Sequence, residues 1–122
     1  MKDSEIKQRV EDLGVLFEKM GRTPMVGRVF ACLLLAEPPH MSFDQIKDFL
    51  GASKSAISNA LNALQVEKSV TYITFSGDRK RYFKVDTKNW LHALIYSASN
   101  LTKLNNMLSD VLEYRSDSSA KE

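Results

Sequence analysis

Apolar positions in the first fifty residues repeat at helical spacing. Within residues 2–20 they recur every three or four positions, and this stripe predicts an amphipathic helix. Residues 25–36 are apolar at nearly every position, so a second helix there is predicted to lie in the core. A third, short helix is predicted to begin at Phe43, because Ser42 and Gln45 have the spacing of a capping box.

The next apolar stripe belongs to residues 51–66. Gly51 can form the tight turn that joins the third helix to this one, and Ser53 is a suitable N-cap. The inward positions recur at i, i+4 and i+7: Ile57, Leu61 and Leu64. The outward positions carry no carboxylate: Lys54, Ser55, Ser58, Asn59 and Asn62. Such a face can approach base edges without repulsion from phosphate, so the stretch is predicted to be the recognition helix of a helix-turn-helix.

Alternating β-branched and aromatic residues follow, and they predict a two-stranded β-hairpin. Residues 69–75 form the first predicted strand, residues 76–78 the turn, and residues 79–85 the returning strand. Three consecutive basic residues stand at or near the tip: Arg79, Lys80 and Arg81. A basic hairpin directly after a helix-turn-helix is typical of a wing that contacts the minor groove or the phosphate backbone.

The last apolar pattern follows a heptad and predicts a long helix over residues 87–114. Two heptad positions define its seam: Leu91, Leu94, Ala98, Leu101, Asn105, Leu108 and Leu112. We expect this helix to pair with the first helix, with a partner subunit, or with both. Asn105 either fixes the register against its symmetry mate or is a partly exposed amide without that role. Residues 115–122 are predicted to be a flexible tail.

Composition and charge restrict the classes of function. The length and the 43% hydrophobic content fit one globular domain over residues 1–122. The net charge of the whole chain is +2, but residues 51–84 alone carry +4, because they contain six basic and two acidic residues. Cys32 is the single cysteine and is interpreted as a buried structural thiol in a cytoplasmic protein. We expect no signal peptide and no membrane span.

Catalytic chemistry is not indicated. His40 and His92 lie in different predicted elements, and neither has a cysteine or carboxylate at metal-ligand spacing. The sequence has no glycine-rich phosphate loop and no nucleophile elbow. We therefore expect no enzyme, no metal site and no cofactor. Arg28 is the one charged residue of the second helix and is interpreted as a salt-bridge partner, with a phosphate contact as the alternative.

The order of predicted elements and several motifs resemble the MarR superfamily of winged-helix regulators, and within it the GbsR-like branch. The resemblance covers about residues 13–85. It rests on Gly21, Pro24, Gly27-Arg28, Glu37-Pro38, Met41-Ser42, residues 53–58, Leu61, Leu64 and residues 77–82. It implies a mainly α (α+β) fold: a winged helix-turn-helix with a two-stranded β-hairpin wing and a long C-terminal dimerisation helix. The implied function is a homodimeric transcriptional regulator on a pseudo-palindromic operator in double-stranded DNA.

The resemblance also implies which residues face DNA. On the recognition helix these are Ser53, Lys54, Ser55, Ser58, Asn59 and Asn62, and on the wing they are Arg79, Lys80 and Arg81. A small-molecule effector is compatible with this interpretation, and the sequence does not identify one. The alternative function is a winged-helix module for protein–protein assembly, in which the basic segment is merely solvated.

Overall fold

A computed structural model describes the backbone of residues 2–121 and the side chains of residues 2–118. Its elements are α1 (Asp3–Lys19), α2 (Pro24–Leu35), β1 (Met41–Ser42), α3 (Phe43–Leu50), α4 (Lys54–Val66), β2 (Val70–Ile73), β3 (Tyr82–Val85) and α5 (Thr87–Lys121). The chain divides into two compact units, of which the first ends at Thr87 and the second begins at Lys88. The helix-turn-helix and the sheet therefore belong to one unit, and nearly all of α5 forms the other.

The core of the first unit lies between α2, α3 and α4. Its largest fully buried side chains are Val29, Phe30, Ile46, Ile57 and Leu64. Local capping fixes where these three helices begin, because the Thr23, Ser42 and Ser53 hydroxyls each accept a backbone N–H of the first turn. The capping box predicted at Ser42 is confirmed. Capping thus sets where these helices begin, and the burial of their apolar side chains holds them together.

Helices α1 and α2 approach closely because small residues meet at their crossing. A Cβ atom on Gly27 would lie 3.1 Å from the Gly14 carbonyl oxygen. Arg28 lies across Gly14 and pairs with two carboxylates of α1, at 2.8 Å from Glu11 and 2.9 Å from Glu18. This ion pairing raises the pKa of Arg28 and lowers the pKa of Glu11. Arg28 therefore has the structural role predicted for it.

The predicted two-stranded hairpin is confirmed, since β2 and β3 pair antiparallel. A third strand, β1, which the sequence did not predict, joins them in a sheet of order β1-β3-β2. In β1, Met41 pairs with Phe83 and Ser42 pairs with Tyr82. In β2, Val70 pairs with Val85 at the far end of β3. Two residues are too few for a period-2 pattern, and this explains why β1 could not be predicted.

The strands of the wing are shorter than predicted. Strand β2 ends at Ile73 and β3 begins at Tyr82, so residues 74–81 form a loop. The three consecutive basic residues, Arg79, Lys80 and Arg81, lie in this loop. The sequence predicts them in the returning strand, and this part of the prediction is wrong. Hydrogen bonds to the Asp78 side chain take the place of ladder pairing in this loop.

Helix α5 runs from Thr87 to Lys121, so it continues beyond Tyr114, where the sequence predicted its end. No glycine or proline interrupts the sequence between Thr87 and Lys121, and the backbone hydrogen bonds of the helix continue. The heptad side chains are exposed in the single chain: Leu91, Leu94, Ala98, Leu101, Asn105, Leu108 and Leu112. No helix among residues 2–121 is long and apolar enough to cross a membrane.

Candidate nucleic-acid interface

A glycine turn sets α4 against α3. Gly51 has left-handed backbone angles (φ 61°, ψ 34°), which glycine adopts at little cost. The Ala52 N–H donates to the Lys47 carbonyl oxygen at 3.3 Å and closes the end of α3. The Ser53 hydroxyl then accepts the Ala56 N–H at 3.2 Å and begins α4. These contacts make the predicted helix-turn-helix, because the chain turns within three residues between two capped helices.

Helix α4 has the two faces that the sequence predicted. Its inward positions are all buried: Ile57, Ala60, Leu61 and Leu64. Its outward positions are all exposed: Ser53, Lys54, Ser55, Ser58, Asn59 and Asn62. Ser53 and Ser55 lie within 3.4 Å of each other through their hydroxyl oxygens. Within the described residues no hydrogen bond or ion pair engages the side chains of Lys54, Ser58, Asn59 or Asn62, so these groups are free to bind.

An ion pair fixes the C-terminal end of α4. Arg22, in the turn between α1 and α2, donates from Nη1 to Oε1 of Glu67, the C-cap residue of α4. The Arg22 guanidinium also lies 4.7 Å from the centroid of the Phe30 ring and 5.7 Å from that of Phe17. Arg22 thus connects the core to the end of the candidate recognition helix. Sequence reasoning missed this residue, because nothing local relates it to Glu67.

Asp78 organises the loop of the wing. Its Oδ1 accepts the Lys80 N–H at 2.9 Å, and its Oδ2 accepts the Tyr82 hydroxyl at 2.7 Å. These two hydrogen bonds lower the pKa of Asp78, and the bond to the carboxylate raises the pKa of Tyr82. Gly77 has a φ of +81°, which turns the chain, and the Asp78 N–H donates to the Phe75 carbonyl oxygen.

The folded loop presents its basic side chains on the surface. Arg79, Lys80 and Arg81 are all exposed. The Arg81 guanidinium lies 4.6 Å from the centroid of the Tyr72 ring on the neighbouring strand, which restricts its position. All three line a groove of about 370 Å³ between the loop and the first turn of α3. Asp44 contributes the acidic side chain of this groove.

The two acidic residues of the basic segment are both used internally. Glu67 pairs with Arg22, and Asp78 accepts hydrogen bonds from its own loop. Neither one therefore neutralises the exposed cations of α4 and the wing through an ion pair. The six outward residues of α4 and the three wing cations are all exposed, and together they can attract a polyanion and offer short polar groups to it. We call this surface the basic face.

Neither a metal cluster nor a reactive thiol is found in the described part of the chain. No group of three or more His, Cys, Asp or Glu side chains within residues 2–121 could hold a metal ion. Cys32 is buried, as predicted, and its thiol donates to the Met41 sulfur at 3.4 Å. Burial raises the pKa of Cys32 to about 12, so the thiol is a poor nucleophile.

Comparison with known proteins finds similarity to transcriptional regulators. No family model matches the chain. Over 83 residues it is 29% identical to the HTH-type transcriptional regulator MmpR5 of Mycobacterium tuberculosis (strain ATCC 25618 / H37Rv), a match that covers 68% of this chain and 50% of MmpR5. The chain therefore spans about half the length of this curated relative.

Solved structures of transcriptional regulators have a similar fold. A crystal structure described as a transcriptional regulator is 26% identical, with a TM-score of 0.66, and the match covers 82% of this chain and 70% of that one. The MepR–DNA complex of S. aureus is 17% identical, with a TM-score of 0.52, and the match covers 93% and 92% of the two chains. The chain therefore has a winged helix-turn-helix fold, which it shares with solved structures of transcriptional regulators.

Proposed function

We propose that the protein is a sequence-specific transcriptional regulator that binds double-stranded DNA as a homodimer. The observation that carries the proposal is the basic face, on which an exposed, acid-free side of α4 accompanies a wing loop with three exposed cations. The 29% identity to a protein named as an HTH-type transcriptional regulator supports the same function.

The proposed contacts divide between affinity and specificity. Lys54 and the cations of the wing bind phosphates, which gives affinity that depends on salt but not on sequence. Ser58, Asn59 and Asn62 read base edges in the major groove, where an Asn amide can make two hydrogen bonds to adenine. The N-cap of α4 is compatible with this arrangement, because the Ser53 hydroxyl begins the helix and leaves the exposed amides of Asn59 and Asn62 unused.

The proposed dimer uses α5. Its apolar side chains are exposed in the single chain, among them Leu101 at 65% and Leu112 at 68%. A helix that exposes a heptad of leucines in water is expected to bury it against another helix. A two-fold dimer would bind a pseudo-palindromic operator whose half-sites are about one helical turn apart, roughly 34–36 Å. Asn105 would then lie in the seam and pair with its symmetry mate.

Two finer assignments belong to the proposal. The motifs over residues 53–58 and 77–82 support a place in the GbsR-like branch of the MarR superfamily. The single buried cysteine supports a function in the cytoplasm, where thiols stay reduced.

One observation favours assembly with another protein as a second candidate function. Val66, in the last turn of α4, is 82% exposed, and Phe75 in the wing loop is 44% exposed. Apolar side chains in such places are typical of protein interfaces. Val66 and Phe75 are not among the outward polar positions of α4. The absence of acidic residues among those positions favours DNA binding over assembly with a protein.

Selection from a pool of genomic duplex fragments tests the proposal. The purified protein should enrich fragments that share a palindromic motif, and its mass in solution should be that of a dimer. Enrichment without a shared motif would contradict specific binding. No enrichment, together with a change in self-association on Val66→Ser, would favour the assembly function instead.

A further inference from the structure

The chain passes from α4 to the wing through residues 67–69, which we call the junction. Ser69 connects the two elements with both of its backbone polar groups. Its N–H donates to the Leu64 carbonyl oxygen in α4 at 3.0 Å, and its carbonyl oxygen accepts the Asp86 N–H, directly after β3, at 2.8 Å. The junction therefore joins the last turn of α4 to the base of the wing, and its backbone angles set the direction of one relative to the other.

Lys68, in the middle of the junction, has a backbone conformation that favours glycine. Its φ is 63°, and within residues 2–121 it is the one residue other than glycine with a positive φ. The Lys68 N–H donates to the Gln65 carbonyl oxygen at 3.0 Å, which together with the Ser69 hydrogen bond makes the Schellman arrangement of a helix end. Gly51 ends α3 with nearly the same φ, 61°. A lysine in this conformation is strained, and such strain persists where the surrounding structure holds it.

An ion pair with Arg22 holds the junction from outside α4. Nη1 of Arg22 donates to Oε1 of Glu67, the residue directly before Lys68. The Arg22 N–H donates to the Phe17 carbonyl oxygen at 3.0 Å, and its guanidinium lies against the Phe17 and Phe30 rings. Exposed ion pairs usually stabilise little, since two flexible side chains must be ordered. The Arg22 side chain is 19% exposed and already held, so pairing orders only the Glu67 carboxylate.

Arg28 makes an ion pair of the same kind elsewhere and offers a comparison. Its side chain is 17% exposed, close to the value of Arg22, and it pairs with Glu11 and Glu18 of α1. Within the described residues its hydrogen bonds and ion pairs all go to α1 and α2. Loss of Arg28 therefore removes a similar ion pair from the same compact unit without removing a contact of the junction.

We propose that Arg22 is a positioning residue for DNA recognition: its ion pair with Glu67 holds Lys68 in the left-handed conformation and so fixes the angle between α4 and the wing. Specific binding requires both elements to contact one duplex together, so a fixed angle contributes to specificity more than to electrostatic attraction. The effect on specificity rests on the proposed DNA function. The effect on the junction does not, and it is measured without DNA.

The test removes the ion pair at constant net charge. Arg22→Met keeps an apolar stem against the two rings, and Glu67→Gln keeps the length of the C-cap side chain. Together they remove one positive and one negative charge, so the net charge stays at +2. We call this double substitution the pair-free variant. The matched control is Arg28→Met with Glu11→Gln, which removes an ion pair between α1 and α2 at the same net charge.

Hydrogen exchange of the Ser69 amide reports on the junction without DNA. This amide should exchange at least about fivefold faster in the pair-free variant, because the left-handed conformation of Lys68 loses its support, and within about twofold of the unchanged rate in the control. Adding Lys68→Gly to the pair-free variant should restore the rate to within about twofold, since glycine adopts this conformation without support. An unchanged Ser69 rate in the pair-free variant would overturn the proposal, and so would a failure of Lys68→Gly to restore it.

Lys68→Gly alone tests the strain in a protein that keeps its ion pair. It should raise the melting temperature by about 2–6 °C, because it removes the side chain that disfavours a positive φ. A lower melting temperature would overturn the proposal, because Lys68 would then need no support from Arg22. This measurement decides the point even where the pair-free variant does not fold.

Fluorescence anisotropy measures the consequence for DNA. The ratio of affinities for the selected and scrambled duplexes should fall at least about tenfold in the pair-free variant, while the affinity for scrambled DNA and its salt slope stay unchanged, because Lys54 and the wing cations remain. Lys68→Gly should restore the ratio. An unchanged ratio together with faster Ser69 exchange would overturn the role in specificity. If the unchanged protein itself does not distinguish the duplexes, the proposed DNA function fails and the role in specificity fails with it, while Ser69 exchange still decides whether Arg22 holds the junction.

Discussion

Removal of the wing cations should lower the dependence of DNA affinity on salt. The triple variant Arg79→Ala, Lys80→Ala and Arg81→Ala removes three exposed side chains whose loop is held by backbone and Asp78 hydrogen bonds. The loop should therefore keep its shape, and the melting temperature should stay close to that of the unchanged protein. Any change in binding then reports lost contacts and not a lost fold.

The size of the effect follows from the number of cations. Each phosphate neutralised contributes about −0.9 to the slope of log K against log salt concentration. A dimer has two wings, so one contact per wing corresponds to a slope change of about 1.8 and three contacts to about 5.4. Because Arg81 already lies over the Tyr72 ring, it can bind phosphate with a smaller loss of side-chain freedom than Arg79 or Lys80. We expect the slope to become less steep by about 2 to 5.

Fluorescence anisotropy at several salt concentrations measures the slope. The matched control is Arg9→Ala, Lys19→Ala and Lys103→Ala, which removes the same charge from exposed positions outside residues 51–84. Its slope should change by less than about 1, since charges more than about 10 Å from DNA are largely screened at 0.1 M salt. A wing variant with the same slope as the unchanged protein would refute the placement of the wing on DNA.

Four further results are expected. In urea denaturation, Gly27→Ala should lower the free energy of unfolding by about 1–3 kcal/mol, because the added Cβ meets the backbone of α1. Gly14→Ala should change that free energy by less than about 1 kcal/mol, because its added Cβ meets only the movable side chain of Arg28. Asn59→Ala should weaken binding to the selected duplex more than to scrambled DNA in anisotropy titrations, and equal losses would make Asn59 a backbone contact. Alkylation of Cys32 at pH 9 should be several-hundred-fold slower in the folded protein than in urea, which is roughly the ratio of the two thiolate fractions. The reason is that burial raises the pKa of Cys32 from 9.0 to about 12. In NMR titration the pKa of the Asp78 carboxyl should lie below 3.8, so the wing loop should keep its hydrogen bonds as the pH falls through 3.8. A titration midpoint above 3.8 would contradict the hydrogen bonds assigned to Asp78.

Features with a local cause could be predicted from sequence. Ser42 and Ser53 cap helices because hydroxyls compete for the free N–H groups of a first turn, and the spacing to Gln45 marks the capping box. Likewise, the spacing of Ile57 and Leu64 was enough to orient α4, since only one face of that helix can be buried.

Features with a distant cause could not be predicted in this way. The pairing of Arg22 with Glu67 spans 45 residues and has no pattern in the sequence. The role of Asp78 depends on a loop whose strands end earlier than their composition suggests.

The central claim is that α4 and the wing read a DNA sequence. The measurement that tests it most directly is the ratio of affinities for the selected duplex and a scrambled duplex of equal length at physiological salt. A specific regulator should bind the selected duplex at least about 10³-fold more tightly. A ratio near one, with both affinities lost as salt rises, would contradict sequence recognition and leave only electrostatic attraction.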